Sequence, residues 1–157
     1  MTPRERIIAA LNLKQPDDIV PTFELQFQLA GELLGKTHVS QEQLNNTAGA
    51  ERERLIRENA ELYVQEAERL DFSLIALSMG PWGLEDQIAT VKTIKQVAGD
   101  KYMIAGFADG TMGIPDGSHM MELIIRLTEQ ADEVKAEQER SVKATLDFVK
   151  PMVDAGV

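Results

Sequence analysis

The 157-residue chain contains no cysteine. That excludes disulfides and thiolate metal ligands within it. It has only two histidines, His38 and His119, too far apart for the short spacing of a metal-binding pair. Cationic residues are in deficit, with 16 Lys and Arg against 26 Asp and Glu and a formal net charge of −10. Such a chain repels nucleic acid and anionic membrane surfaces, so neither is expected as a partner. No stretch approaches 18 apolar residues, so no membrane span is expected. The opening "MTPRERIIAALNLK" lacks the apolar core of a signal peptide. A cytoplasmic location is the default expectation.

What remains is one domain's length of chain, 43% hydrophobic, enough for a core. Thr2-Pro3-Arg4-Glu5 reads as a capped helix start, with proline at the first helical position and Glu5 completing a capping box. "IVPTFEL" (19–25) reads as a strand, placed at an edge because Pro21 cannot donate a ladder hydrogen bond. "QFQLAGELLG" reads as a short helix ending at Gly35, and the polar stretch after it as irregular or a short helix. Residues 50–70 form a strong helical pattern whose dense charge suggests a solvated outer face with i,i+4 pairs. "DFSLIALS" (71–78) and "KYMIAGF" (101–107) read as buried strands on either side of an amphipathic helix closed by Gly99. "HMMELIIRLT" reads as a further helix. Asp132 is expected to cap a long final one, Glu133 to Ala155, kinked or tightened by Pro151.

Short apolar strands alternating with longer amphipathic helices build parallel sheets from βαβ units. An open doubly wound sheet and part of a (β/α)8 barrel both fit that pattern. The chain stops at "FVKPMVDAGV", where a helical pattern meets glycine and one β-branched residue, as at a helix-to-strand junction. The expectation is therefore one incomplete domain over 1–157, the N-terminal piece of a longer protein.

"GFADGTMGIPDG" (106–117) packs four glycines into twelve positions. Their spacing of four, three and four does not fit a dinucleotide fingerprint, and no Gly-Lys-Ser/Thr ending makes a P-loop. Asp109 and Asp116 would repel a phosphate. The stretch reads as a plain turn or a cavity-lining loop after a strand.

Three segments resemble the uroporphyrinogen decarboxylase superfamily, which includes the cobamide-dependent methyltransferases. "MTPRERIIAALNLKQPDDIVP" resembles its opening helix and Pro-Asp turn. "GFADGTMGIPDGSHMMELIIRL" resembles the loop and helix after its third strand, and "VKPMVDAGV" the run into its fourth. The resemblance spans nearly the whole chain. It implies an α/β fold, the N-terminal portion of a (β/α)8 TIM barrel with parallel strands alternating with helices and its site at the strands' C-terminal ends.

The departures from the family separate its activities. The decarboxylases carry an arginine-rich segment after the first strand and an aspartate after the second. Here those regions read "FELQFQLAGELLGK" and "LIALSMGPWG". An acidic mouth with Glu24 and no arginine disfavours a polycarboxylate porphyrinogen. The resemblance then implies the N-terminal part of a corrinoid-dependent methyltransferase, inactive alone, with a corrinoid protein or small-molecule substrate as partner. The full-length family enzyme uses zinc, whose ligands this chain does not supply. Uroporphyrinogen decarboxylase of heme biosynthesis is one alternative. A non-catalytic half-barrel that self-associates through exposed sheet edges is the other. Candidate substrate contacts are Glu24 at the C-terminal end of the first strand and Gln26 at the same mouth, Ser78 and Trp82 at the second, and Asp109 and Thr111 after the third. Gln28 shares the first mouth. His119 is expected to open a helix, and neither histidine is expected to be catalytic.

Overall fold

A computed structural model describes all 157 residues. The helices are α1 (Pro3–Leu11), α2 (Ala30–Leu34), α3 (Gln41–Asn45), α4 (Gly49–Arg69), α5 (Leu84–Ala98), α6 (Met120–Glu129) and α7 (Ala131–Ala155). The strands are β1 (Leu74–Ala76) and β2 (Met103–Ala105). The chain divides into two compact units: Met1–Phe107 with Met152–Val157, and Ala108–Pro151.

Local chemistry sets the ends of the helices. Thr2 and Glu5 form the expected reciprocal capping box: Thr2 N–H donates to Glu5 Oε2 (2.8 Å) and Glu5 N–H to Thr2 Oγ1 (3.2 Å). Ser40 and Gln43 cap α3 in the same way. Gly35 closes α2 in the left-handed region, at φ +65°. Asp132 sits inside the first turn of α7, which starts one residue before it, rather than capping the helix.

The first unit is built on a β1–α5–β2 crossover. Its strands pair in parallel, Leu74 with Met103, Ile75 with Ile104 and Ala76 with Ala105. β1 is buried throughout, as a strand covered on both faces must be. α4 packs on α5 and on β1. The core joins Phe27, Tyr63, Phe72, Ile75, Val91 and Ile94, and the Phe27 ring lies 5.3 Å from Tyr63 and 5.5 Å from Phe72. Arg6 fastens α1 to this unit. Its guanidinium donates twice to Asp18 (3.1 and 3.0 Å), once to Asp71 (3.4 Å) and once to Ser73 Oγ (3.2 Å).

The expected portion of a (β/α)8 barrel is not what the chain forms. It is 57% helical, with two three-residue strands only, so its fold is mostly helical. The failure lies in the first expected strand, residues 19–25, which is irregular. One backbone bond joins it to the β1 region, from Ser73 N–H to Thr22 C=O (2.7 Å). Pro21 has no N–H to give, and Ile19, Val20, Phe23 and Leu25 stay exposed, so neither a ladder nor burial draws the segment into the sheet. The strands expected over 71–78 and 101–107 do form, at three residues each.

In the second unit, the loop beginning at Ala108 leads into α6 and most of α7. Val134 is its one buried apolar side chain.

Candidate functional site

The C-terminal end of β1 is where a parallel α/β unit presents ligand contacts, and here several chain segments are tied to it. Ser78, two residues past the strand, is buried, and its Oγ accepts the Phe27 N–H at 2.7 Å. That bond brings Gln26 and Glu24 to the strand end. Gln26 is exposed and Glu24 half-buried, its carboxylate accepting the Gln26 N–H at 3.4 Å. Trp82 is 58% exposed in the loop that follows β1. Gln41 of α3 orders that loop, its Oε1 accepting the Trp82 N–H (3.0 Å) and the Gly83 N–H (2.6 Å). Gln41 Nε2 donates to Asp86 (2.9 Å), and Arg52 donates to both oxygens of the same carboxylate (2.7 and 2.8 Å).

Three of the six expected contacts, Glu24, Gln26 and Ser78, are therefore tied together, and Trp82 lies in the loop that leaves the same strand end. Asp109 and Thr111 belong to the other unit. There the Asp109 carboxylate accepts the Thr111 N–H (2.8 Å) and hydroxyl (2.6 Å). These bonds, the side-chain one first, hold the Asp109 carboxyl below its ordinary range. This is a side chain closing its own turn. Asp116 does the same for the entry to α6, accepting from Ser118 Oγ (2.5 Å) and the Ser118 N–H (3.1 Å), with His119 Nδ1 at 2.9 Å. The Ser118 hydroxyl, then His119, keeps the Asp116 carboxyl low. The Ser118 N–H, the Ser118 hydroxyl and His119 Nδ1 all face Asp116 Oδ1, and Ser118 Oγ also lies 3.0 Å from that same Nδ1; a nucleophile–base relay would place serine and carboxylate on opposite ring nitrogens, so this is helix-entry geometry.

Sequence reasoning missed a buried polar cluster on α4. Asn59, Tyr63 and Glu66, at i, i+4 and i+7, share one face of the helix. The His38 side chain is 4% exposed, Glu66 is fully buried, and the residue Asn59 is 1% exposed. Asn59 Oδ1 accepts the Val39 N–H at 3.1 Å, which fixes the orientation of the amide. The same oxygen lies 2.9 Å from His38 Nδ1, so Nδ1 must carry a proton. His38 Nε2 lies 3.3 Å from Glu66 Oε2, and Glu66 Oε1 accepts the Leu29 N–H at 3.0 Å. A histidine nitrogen facing a carboxylate oxygen bonds to it only through a shared proton, so this buried pair holds one between its two members.

Tyr63 completes the cluster. Its ring lies 4.3 Å from that of His38. Its hydroxyl donates to Met79 C=O and accepts the Met79 N–H at 2.8 Å. Burial, chiefly, raises the Tyr63 phenol above its ordinary value. Gly80 follows at φ +91°, and a Cβ there would stand 2.7 Å from Asn59 Nδ2, a buried donor without a protein partner. One face of α4 thereby holds the segments around residues 29, 38 and 79 that converge on the end of β1. The signal in the sequence was faint: Asn59, Tyr63 and Glu66 sit among Ala60, Leu62 and Ala67 inside a run of exposed Glu and Arg.

The arrangement can bind and orient a ligand. It offers an exposed indole, an uncommitted amide at Gln26 and a carboxylate at Glu24. No lysine or arginine donates to Glu24, Gln26 or Ser78, and Arg52 is occupied by Asp86. The zinc that the family resemblance implies has no fitting donor set in this chain. Both ring nitrogens of His38 are engaged, His119 pairs with Asp116, and no three His, Asp or Glu side chains converge. No helix is long and apolar enough to cross a membrane. No protein-family model matches this chain, and no curated protein or solved structure matches it significantly.

Proposed function

We propose that this chain supplies ligand contacts to a methyl-transfer enzyme related to the uroporphyrinogen decarboxylase superfamily, and that its ligand is a corrinoid-borne methyl group or the acceptor of that group. The observation that supports this reading is the end of β1, where no lysine or arginine donates to Glu24, Gln26 or Ser78, the buried Ser78 binds the segment bearing Glu24 and Gln26, and Trp82 is exposed in the loop that follows the strand. An indole covers a flat, weakly charged ligand well. A substrate with many carboxylates needs cationic partners, and without them each buried carboxylate meets like charge from Glu24. That argues for methyl transfer over porphyrinogen decarboxylation. In this reading Gln26 and Glu24 fix the ligand's orientation through hydrogen bonds, and the bond from Phe27 to Ser78 fixes the position of both.

Trp82 is the only tryptophan, so its fluorescence reports on this neighbourhood alone. Titration with methylcobalamin is expected to quench it saturably, and Gln26→Ala is expected to weaken that binding severalfold. Titration with uroporphyrin is expected to have little effect. Tight uroporphyrin binding with none of methylcobalamin would overturn the proposal.

A further inference from the structure

The loop Met79–Gly83 after β1 is fastened by side chains. No backbone–backbone hydrogen bond involves Met79, Gly80, Pro81 or Trp82. Tyr63 of α4 holds one end through its two bonds to Met79. Gln41 of α3 holds the other through the Trp82 and Gly83 N–H groups. Glycines flank Pro81 and Trp82 on both sides, and Gly80 stands at φ +91°. Met79 and the buried Pro81 border a cavity of about 10 Å³, lined also by Tyr63, Leu77, Gln87 and Thr90. That is room for one water at most. Asn59 Nδ2 is sealed beside Gly80 without a partner. A segment without backbone bonds, with a void under it and an unsatisfied donor against it, belongs to the low-stability end of a fold.

The same cavity holds a polar group that the fold leaves unused. Gln87 is only 8% exposed, and its amide makes no hydrogen bond within the chain. A buried amide in that state has lost water and gained nothing in exchange. Thr90, 2% exposed, donates its hydroxyl proton to Asp86 C=O (2.8 Å) and keeps a lone pair with which to accept. No charged side chain lines the cavity.

We propose that Met79–Gly83 is a flap that swings outward about Gly80 and Gly83, and that the space it uncovers binds a primary carboxamide group of a neutral ligand. The chemistry of the lining selects that group. The Gln87 amide offers donors and an acceptor in one plane, and a carboxamide returns an acceptor and donors in the same arrangement. Thr90 Oγ1 is free to accept from the ligand's remaining N–H. Opening also releases the Tyr63 hydroxyl from Met79, which adds a neutral partner, and lets water reach Asn59 Nδ2. A carboxylate or an ammonium group would enter without a counter-ion among the lining residues, and its desolvation would go uncompensated. This pocket is independent of methyl transfer, since it rests on the flap and on Gln87 alone.

Amide hydrogen exchange and shift mapping of the intact, isotope-labelled chain test both halves, with propionamide as the probe. The Gly80, Trp82 and Gly83 amides are expected to exchange roughly tenfold or more faster than those of Ile75 and Val91, through an opening that mild urea leaves unchanged. Propionamide is expected to shift the Gln87 side-chain NH2 signals and the amides of residues 77–90 saturably, and to speed flap exchange, because it binds the open form. Propionate should do neither. Gln87→Leu should abolish the shifts and leave the flap mobile, with circular dichroism confirming the fold. Gln41→Ala, which unfastens one end of the flap, should tighten propionamide binding severalfold, because a larger fraction of the chain is then competent to bind. Flap amides that exchange only with global unfolding would overturn the proposal. So would the absence of shifts in wild type and Gln41→Ala alike, shifts that survive Gln87→Leu, or equal binding of propionate.

Discussion

Removing one member of the His38–Glu66 pair should cost far more than removing both. In Glu66→Leu, His38 Nε2 and the Leu29 N–H both lose the acceptors they now reach at 3.3 and 3.0 Å, at a buried position. In His38→Phe, a fully buried carboxylate keeps the Leu29 N–H but loses its proton-sharing partner. Stranding one member of a buried ion pair costs about 3–5 kcal/mol. In the double variant no charge is stranded. The chief remaining debt is the Leu29 N–H, a neutral unsatisfied group worth about 1–3 kcal/mol. The two substitutions should therefore be strongly non-additive, with a coupling of at least about 2 kcal/mol, at the upper end for residues in contact. Urea unfolding of the four proteins, followed by circular dichroism, reads this directly. Additive losses, or a double variant less stable than either single one, would refute the shared proton and the geometry behind it.

The remaining predictions concern other fastenings of the same unit. Tyr63→Phe removes the hydroxyl that both donates to and accepts from the Met79 backbone, and should cost about 1–3 kcal/mol in urea unfolding while speeding hydrogen exchange at the Met79 amide. Gly80→Ala combines a left-handed φ of +91° with a Cβ 2.7 Å from Asn59 Nδ2, and should cost about 1–3 kcal/mol; Gly113→Ala, where a Cβ meets open space, should be nearly neutral by the same assay. The Arg6 guanidinium, then the Ile19 N–H, holds the Asp18 carboxyl well below the usual carboxylate range. Because its folded value is depressed, the stabilisation is fully present above the unfolded value of about 3.9 and is lost as pH falls through the folded one. The stability difference between wild type and Asp18→Asn should thus be constant from neutral pH down to about pH 5 and shrink below pH 4.

Much of the helical framework was legible in the sequence, and the reasons are local. Thr2 and Glu5 declare the start of α1, Gly35 and Gly99 close α2 and α5, and the apolar periodicity of α4 and α5 survives in the fold. The two strands that formed follow their apolar runs, because β1 is buried throughout, with α4 and α1 packed against it and β2 paired beside it. The strand at 19–25 did not form, since an apolar run shows that a segment wants burial but not that a partner ladder exists to supply it. With Pro21 in its centre and one bond to Thr22, the run remains an exposed connection.

The candidate site was half legible. Ser78 and Trp82 were found because they follow an apolar run, and the segment bearing Glu24 and Gln26 meets Ser78 through Phe27. Asp109 and Thr111 were read by the same rule but close their own turn in the other unit. His38 and Glu66 escaped notice because they lie 28 positions apart and composition reads α4 as solvated. Only the i, i+4, i+7 alignment of Asn59, Tyr63 and Glu66 distinguishes its buried polar face from its exposed charged one.

The most direct measurement of the central claim, that ligand binds where α4 gathers the chain at the end of β1, is a backbone amide shift map of the 15N-labelled chain titrated with methylcobalamin. The account predicts saturable changes concentrated at residues 24–28 and 78–83, with little at 109–119. Changes confined to the loop at 109–119, or none at saturating ligand, would contradict it.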